Sequence, residues 1–185
     1  MNRRLFIALD LPAEAKKFLT GVIGDFSSGL GLRPKWEREE KLHLTLKFLG
    51  DTAEELLPLI KSKFYALYYF KPFHIKISKF GIFSRGNTPQ ILWAGLEIKE
   101  DIIPLLQKIE KDFSAIGFKR ETRPFSPHIT VLRIKPYYDH SLISKIVERV
   151  PGDNEFMINK LVLYESSLLK SGSVYNKVNE IELQQ

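Results

Sequence analysis

Residues 43–46, His-Leu-Thr-Leu, and residues 128–131, His-Ile-Thr-Val, repeat one pattern 85 positions apart in a chain of 185 residues. In a β-strand, side chains two residues apart share a face, so each histidine stands beside its threonine while the apolar residues point the other way. The pattern therefore predicts two strands that each present one imidazole and one hydroxyl on the same surface.

The segments around these two strands also look duplicated. The first half predicts strands at about 5–9, 42–49 and 73–80 and helices at about 13–26 and 53–67. The second half predicts strands at about 91–98, 128–134 and 156–164 and helices at about 102–116 and 142–150. Each half is thus β-α-β-α-β.

A second landmark supports the duplication. Leu5–Asp10 resembles Leu92–Glu97 at an offset of 87, close to the offset of 85 between the two histidines. Residues 81–89, Gly-Ile-Phe-Ser-Arg-Gly-Asn-Thr-Pro, have the composition of a loop. We therefore expect a single domain, 1–185, built from two lobes at about 1–83 and 90–180, with the boundary loop at 81–89.

Composition limits the chemistry that the chain can use. It contains no cysteine, which excludes disulfides, thiolate zinc sites and a cysteine nucleophile, and which suits a reducing cytoplasm. The charge of +6 and the pI of about 9.4 favour polyanionic partners such as nucleic acid without requiring them. The apolar stretch near the start is too short for a membrane span or a secretory signal.

The paired motifs suit a phosphate. If the two strands lie side by side, two threonine hydroxyls can donate hydrogen bonds to one anion. A histidine titrates near pH 6.5, so one imidazole can act as general base while the other, protonated, acts as general acid. This chemistry needs no metal and no cofactor. The near-symmetry of the motifs leaves open which histidine, His43 or His128, has which role.

Other candidate residues have two interpretations each. Strict alternation places Lys47 on the histidine face, where it would add positive potential or simply stand in solvent. Trp36 would stack on a nucleobase or fill the core. His74 and His140 match neither motif and are expected to be structural or exposed, since the spacing of the four histidines fits no common metal site.

The sequence resembles the 2H phosphoesterases, and specifically the bacterial and archaeal RNA 2',3'-cyclic phosphodiesterases described as 2'-5' RNA ligase-like. The resemblance covers nearly the whole chain. It rests on RLFIALDLP at the start, Trp36, HLTLKFLGD at 43–51, PFHIKISKFGIF at 72–83, ILWAGL at 91–96, GFKRETRPFSPHITVLRI at 117–134 and LVLYESSLLKSGSVY at 161–175. It implies an α+β fold of two pseudo-symmetric lobes, each with an antiparallel sheet and flanking helices, around a central cleft.

The resemblance also implies residue roles. His43 matches the proton donor and His128 the proton acceptor, while Thr45 and Thr130 match the threonines that hold the phosphate. Phe48 and Arg133, each five residues after its histidine, match a ring that contacts the base and a cation that contacts the phosphate. Strict alternation points Phe48 and Arg133 away from the histidines, although a β-bulge would turn them back.

The implied activity is the opening of RNA 2',3'-cyclic phosphate ends to 2'-phosphomonoesters, with tRNA fragments among the candidate substrates. We expect a cytoplasmic monomer that needs no obligate protein partner and no membrane. Two alternatives remain open. One is a related activity of the same two histidines, either 2'-5' RNA ligation or cleavage of another cyclic phosphate. The other is a non-catalytic protein that binds RNA ends.

Overall fold

The computed structural model describes residues 2–27, 34–138, 140–169 and 172–184. Within these ranges the strands are β1 (Asn2–Asp10), β2 (His43–Ala53), β3 (Phe73–Arg85), β4 (Thr88–Ile98), β5 (His128–Arg133), β6 (Phe156–Ile158), β7 (Lys160–Leu169) and β8 (Gly172–Glu182). The α-helices are α1 (Ala13–Ser27), α2 (Leu57–Tyr65), α3 (Ile103–Ser114) and α4 (His140–Val147). Single turns of 3₁₀-helix cover Glu39–Lys41 and Glu54–Leu56.

The strands form two four-stranded sheets, and every neighbouring pair is antiparallel. Sheet A has the order β2-β1-β7-β8, and sheet B has the order β5-β4-β3-β6. This arrangement confirms the predicted α+β class. None of the helices in the described ranges combines the length and apolar character needed to cross a membrane.

Strand β1 shows how the sequence pattern produces two different faces. Leu5, Ile7 and Leu9 are buried in the main core with residues from both sheets and the helices. Phe6 and Ala8 alternate with them and pack on the opposite face of sheet A. The helices cover the first face, and Tyr164 and Tyr175 pack with Phe6 on the second.

The two halves exchange their third strands. Strand β3, from the first half, pairs with β4 of the second half in sheet B, and β7, from the second half, pairs with β1 in sheet A. The expected boundary loop at 81–89 is therefore wrong, because β3 runs to Arg85 and β4 starts at Thr88. Gly86 adopts a positive φ of 56°, as turn residues of a hairpin do. The Gly-Asn pair at 86–87 therefore marks the tip of the β3–β4 hairpin and not a division between lobes.

Three further details differ from the sequence predictions. Asp10 pairs with His43 and Gly95 pairs with His128, so β1 and β4 are related by the same 85 residues as the histidines and not by 87. The strand expected at 156–164 is two strands in different sheets, β6 and β7. Strand β8 was not predicted, because it is largely polar and lies at the edge of sheet A, where little of it is buried.

Candidate active site

Each His-x-Thr pair is followed at once by a β-bulge. In sheet A, Ala8 pairs with Thr45 and Ile7 pairs with Lys47, so Leu46 is the extra residue. In sheet B, Trp93 pairs with Thr130 and Leu92 pairs with Leu132, so Val131 is the extra residue. Both bulges lie three residues after the histidine, and an extra residue reverses the alternation of the side chains that follow.

The bulges bring Phe48 and Arg133 to the histidine faces. Phe48 pairs with Phe6, and their ring centroids are 5.9 Å apart; the Phe6 ring in turn lies 5.0 Å from that of His43. Arg133 pairs with Ile91, which lies on the same face of β4 as the Trp93 that pairs with Thr130. The opposite orientation expected from strict alternation is therefore wrong for both residues.

The first bulge also turns Lys47 away from the histidine face, which corrects its predicted position. The Lys47 side chain is 2% exposed, and its Nζ lies 2.7 and 2.8 Å from the two carboxylate oxygens of Glu110 on α3. The same ammonium donates to the backbone carbonyl of Lys119 at 3.0 Å. Lys47 is thus a buried structural cation.

His43 is held by its own strand and by aromatic rings from across sheet A. Its Nδ1 lies 2.7 Å from the carbonyl oxygen of Lys41, and because a carbonyl only accepts, Nδ1 carries a proton. Its Nε2 lies 3.1 Å from the Thr45 hydroxyl. The rings of Tyr164 and Tyr175 have centroids 5.7 and 5.4 Å from the imidazole.

His128 repeats this arrangement in sheet B. Its Nδ1 donates to the carbonyl oxygen of Ser126, again two residues earlier and again at 2.7 Å. Phe83 meets the imidazole edge-on with centroids 4.8 Å apart, and Trp93 lies 6.4 Å away. Gly81 allows the Trp93 ring to lie against β3, because a Cβ atom at that position would collide with the indole. Both histidines therefore use Nδ1 for support from a backbone carbonyl.

The two half-sites lie beside each other. Strands β2 and β5 are the edge strands of different sheets, and they approach with Cα atoms within 8 Å. Burial lowers the pKa of His43 to about 4, and the nearby His128 and Lys16 act in the same direction. The structure thus brings together the imidazoles that the sequence pattern paired.

Comparison with known proteins agrees with this geometry. A family model described as LigT like Phosphoesterase matches residues 9–93 and 96–175, which include both motifs. The chain belongs to the LigT-like phosphoesterase family. It is 30% identical over 183 residues to a Thermotoga maritima protein named RNA 2',3'-cyclic phosphodiesterase, covering 98% of this chain and 96% of that one.

Other relatives also align with this chain over nearly their whole length. A Methanocaldococcus jannaschii protein with the same name is 29% identical over 180 residues, covering 96% of this chain and 99% of that one. The crystal structure of a Thermus thermophilus protein, TT0787, superimposes with a TM-score of 0.77 at 27% identity, covering 97% of each chain. The family expected from the motifs is therefore confirmed.

Asp10 is a charged residue of this LigT-like phosphoesterase that the sequence did not single out. It pairs with His43 across β1 and β2, and its carboxylate lies 2.7 Å from Lys16 Nζ and 3.0 Å from Lys177 Nζ. Burial raises the pKa of Asp10, but the two ammonium groups outweigh burial and leave it lowered. Its negative charge favours a proton on His43 and so opposes the effect of burial there.

The remaining residues considered from the sequence are Trp36, His74 and His140. Trp36 packs against the main core and forms a bridge with Leu132, as expected of a core aromatic. His74 Nδ1 lies 2.6 Å from a carboxylate oxygen of Glu100 in a half-exposed pair. His140 is the first residue of α4, and its side chain lies outside what the structure describes.

Sequence reasoning missed the aromatic walls around both histidines. The members are Phe6, Tyr164 and Tyr175 in sheet A and Phe83 and Trp93 in sheet B. The alternation of Phe6, Ala8 and Asp10 along β1 was a usable indication, because it predicts a second covered face. The contribution of β7 and β8 could not be found in this way, since it depends on pairing between distant segments.

Proposed function

We propose that this chain hydrolyses RNA ending in a 2',3'-cyclic phosphate to RNA ending in a 2'-phosphomonoester, by metal-independent catalysis with two histidines. The observation that carries the proposal is the matched pair of His-x-Thr half-sites, each with Nδ1 bound to a carbonyl and each followed by a bulge. The relatives that align over nearly their whole length carry the name RNA 2',3'-cyclic phosphodiesterase, which supports the class of substrate.

The proposed reaction is an in-line displacement at phosphorus. Nε2 of His128 takes a proton from water, whose oxygen attacks phosphorus. The bond between phosphorus and the 3' oxygen breaks, and that oxygen takes the proton from Nε2 of His43. The hydroxyls of Thr45 and Thr130 donate to the non-bridging oxygens, where negative charge develops.

Two further residues would bind the substrate. The guanidinium of Arg133 suits a phosphate oxygen, and it lies on the same face of sheet B as Thr130. Phe48 is 69% exposed beside Phe6, which suits stacking against the terminal nucleobase. We propose that both act in this way and that one chain supplies the complete site.

The protonation of His43 is the demanding part of this scheme. Its pKa of about 4 means that a proton donor at this position needs a neighbouring negative charge to keep its proton near pH 7. The phosphate of the bound RNA would supply that charge, and Asp10 assists. The assignment of His43 as proton donor comes from the family resemblance. Because burial disfavours the protonated imidazole, His43 would hold its second proton only when the substrate phosphate is bound.

The first test uses an RNA oligonucleotide with a 2',3'-cyclic phosphate end in the presence of excess chelator. We expect His43→Ala and His128→Ala each to lower kcat by about 10²- to 10⁴-fold, because each removes one proton transfer. His74→Ala is the control and should retain turnover. Full activity in either site variant would contradict the mechanism, and binding without turnover by the parent protein would support an RNA-end-binding protein instead.

A modified substrate in the same assay distinguishes the two roles. Sulfur in place of the 3' oxygen leaves as a thiolate and needs little protonation. The His43→Ala defect should therefore shrink with the sulfur substrate, while the His128→Ala defect should persist. The reverse pattern would exchange donor and acceptor. Identification of the product as a 2'-phosphate or a 3'-phosphate tests the proposed bond cleavage separately.

A further inference from the structure

Glu37 is anchored next to the second bulge. Its backbone N–H donates to the carbonyl of Val131, the bulged residue of β5, at 2.9 Å, and Trp36 bridges to Leu132. The segment that contains Glu37 therefore lies along the side of β5 that faces away from β4. This placement fixes the Glu37 backbone beside the strand that carries His128 and Thr130.

The Glu37 carboxylate contacts a cation from each half-site. One oxygen lies 3.5 Å from Nε of Arg133, and the other lies 3.3 Å from Nζ of Lys41. The Glu37 side chain is only 16% exposed, so solvent screens these contacts less than it screens a surface pair. The guanidinium has more donors than this one contact uses, which leaves it able to bind a ligand as well.

Lys41 connects the carboxylate to His43. The Lys41 carbonyl accepts the hydrogen bond from Nδ1 of His43. Its ammonium lies 5.9 Å from the centroid of the Tyr175 ring, and that ring lies 5.4 Å from the imidazole of His43. Glu37 thus places one negative charge between the Arg133 cation of one half-site and a cation next to the other.

We propose that Glu37 is a positioning residue that holds Arg133 and Lys41 and offsets part of their charge, so that the site favours a monoanionic phosphodiester over a dianionic phosphomonoester. The inference rests on the proposed function. A cyclic phosphodiester carries one negative charge, whereas the monoester produced by ring opening carries nearly two above pH 7. A nearby carboxylate repels the second charge, so it weakens product binding more than substrate binding.

The test replaces the charge and keeps the shape. Glu37→Gln keeps the size of the side chain and one oxygen acceptor, which can serve Arg133 or Lys41 but not both. Glu40→Gln removes the same charge from the same segment. Glu40 is a suitable control because its side chain is 67% exposed and lies 3.8 Å from Arg38. At pH 8, we expect Glu37→Gln to lower Ki for a nucleoside 2'-monophosphate about tenfold and to change KM for cyclic-phosphate RNA by less than about threefold.

Two results would overturn the inference. One is an equal change of Ki and KM in Glu37→Gln, which is the expected result of a purely structural loosening. The other is the same change of Ki in Glu40→Gln, which would indicate a general effect of net charge. Direct calorimetric binding of the 2'-monophosphate gives the same comparison without turnover. If the parent protein opens no cyclic phosphate, the proposed function fails while this binding comparison still decides the role of Glu37.

Discussion

At the scale of single residues, the two histidines share one support but have different surroundings. Each donates from Nδ1 to the carbonyl two residues earlier, and the sequence spacing alone was enough to pair them. The difference comes from Tyr164 and Tyr175, which enclose His43 from strands more than 100 residues away in sequence. No local pattern around His43 contains that information.

The environment of His43 predicts a pH dependence of stability. The folded-state pKa is about 4, below the ordinary value of 6.5, so the unfolded chain takes up the proton first. This contribution is absent above pH 6.5 and destabilises the fold progressively as the pH falls towards 4. At pH 4.5 the loss at this residue should be about 2–3 kcal/mol.

Urea unfolding at pH 7 and pH 4.5 measures this loss. Other groups also titrate over that range, so the comparison is between the parent protein and His43→Gln. The free energy of unfolding of the variant should fall less between the two pH values, because glutamine takes up no proton. Equal decreases in both proteins would show that His43 keeps its ordinary pKa in the folded state.

At the scale of secondary structure elements, the two bulges decide which side chains reach the site. The strands themselves were predictable from alternation, but alternation placed Phe48 and Arg133 on the wrong face and Lys47 on the histidine face. In the sequence the apolar alternation continues through Leu44, Leu46 and Phe48, so it gives no sign of the bulge. In the structure the buried positions around the bulge are instead Leu44, Leu46, Lys47 and Leu49, a change of face that the extra residue at Leu46 explains.

Removing one partner of the Lys47–Glu110 ion pair should destabilise the fold, because the charge that remains loses its counterion in a largely buried position. Lys47→Met removes the ammonium and leaves the Glu110 carboxylate without its partner. We expect the free energy of unfolding to fall by about 2 kcal/mol, a value reduced because Glu110 is partly exposed. Adding Glu110→Leu should restore most of the loss, since an apolar pair can replace a buried ion pair.

Denaturant midpoints of the single and double variants test this expectation. Lys76→Met is a matched control, because the Lys76 ammonium lies 3.9 Å from Asp153 and its side chain is 48% exposed. The control should change stability by less than about 0.5 kcal/mol. If Lys47→Met behaves like the control, the pair with Glu110 has no stabilising role.

At the scale of the whole molecule, the exchange of third strands joins the halves. The sequence predicted most of the elements and the repeat of the motifs, yet it suggested lobes that are continuous in sequence. Strand pairing between Leu5 and Glu165 depends on which apolar faces fit together in three dimensions. The pairing of Phe83 with Ile91, by contrast, follows from the hairpin turn at Gly86. Element content and hairpins are local properties of the chain, whereas the choice of β7 as the partner of β1 is a non-local one.

Separate expression of residues 1–86 and 87–185 tests the exchange. The first fragment contains β1 without its neighbour β7, and the second contains β4 without β3. We therefore expect neither fragment alone to give the dispersed amide spectrum of a folded sheet protein, and we expect a mixture of the two to recover it. Cooperative unfolding of the isolated 1–86 fragment would instead support an independently stable lobe.

The position of β7 between β1 and β8 also sets an order of events during translation. The centre of sheet A cannot be completed until residues 160–165 have left the ribosome, because they pair with residues 5–10. Until then one edge of the apolar strand β1 is unpaired, which exposes the nascent chain to aggregation and to chaperones. A chain that terminates before residue 164 therefore lacks the ring contacts of both Tyr164 and Tyr175 on His43.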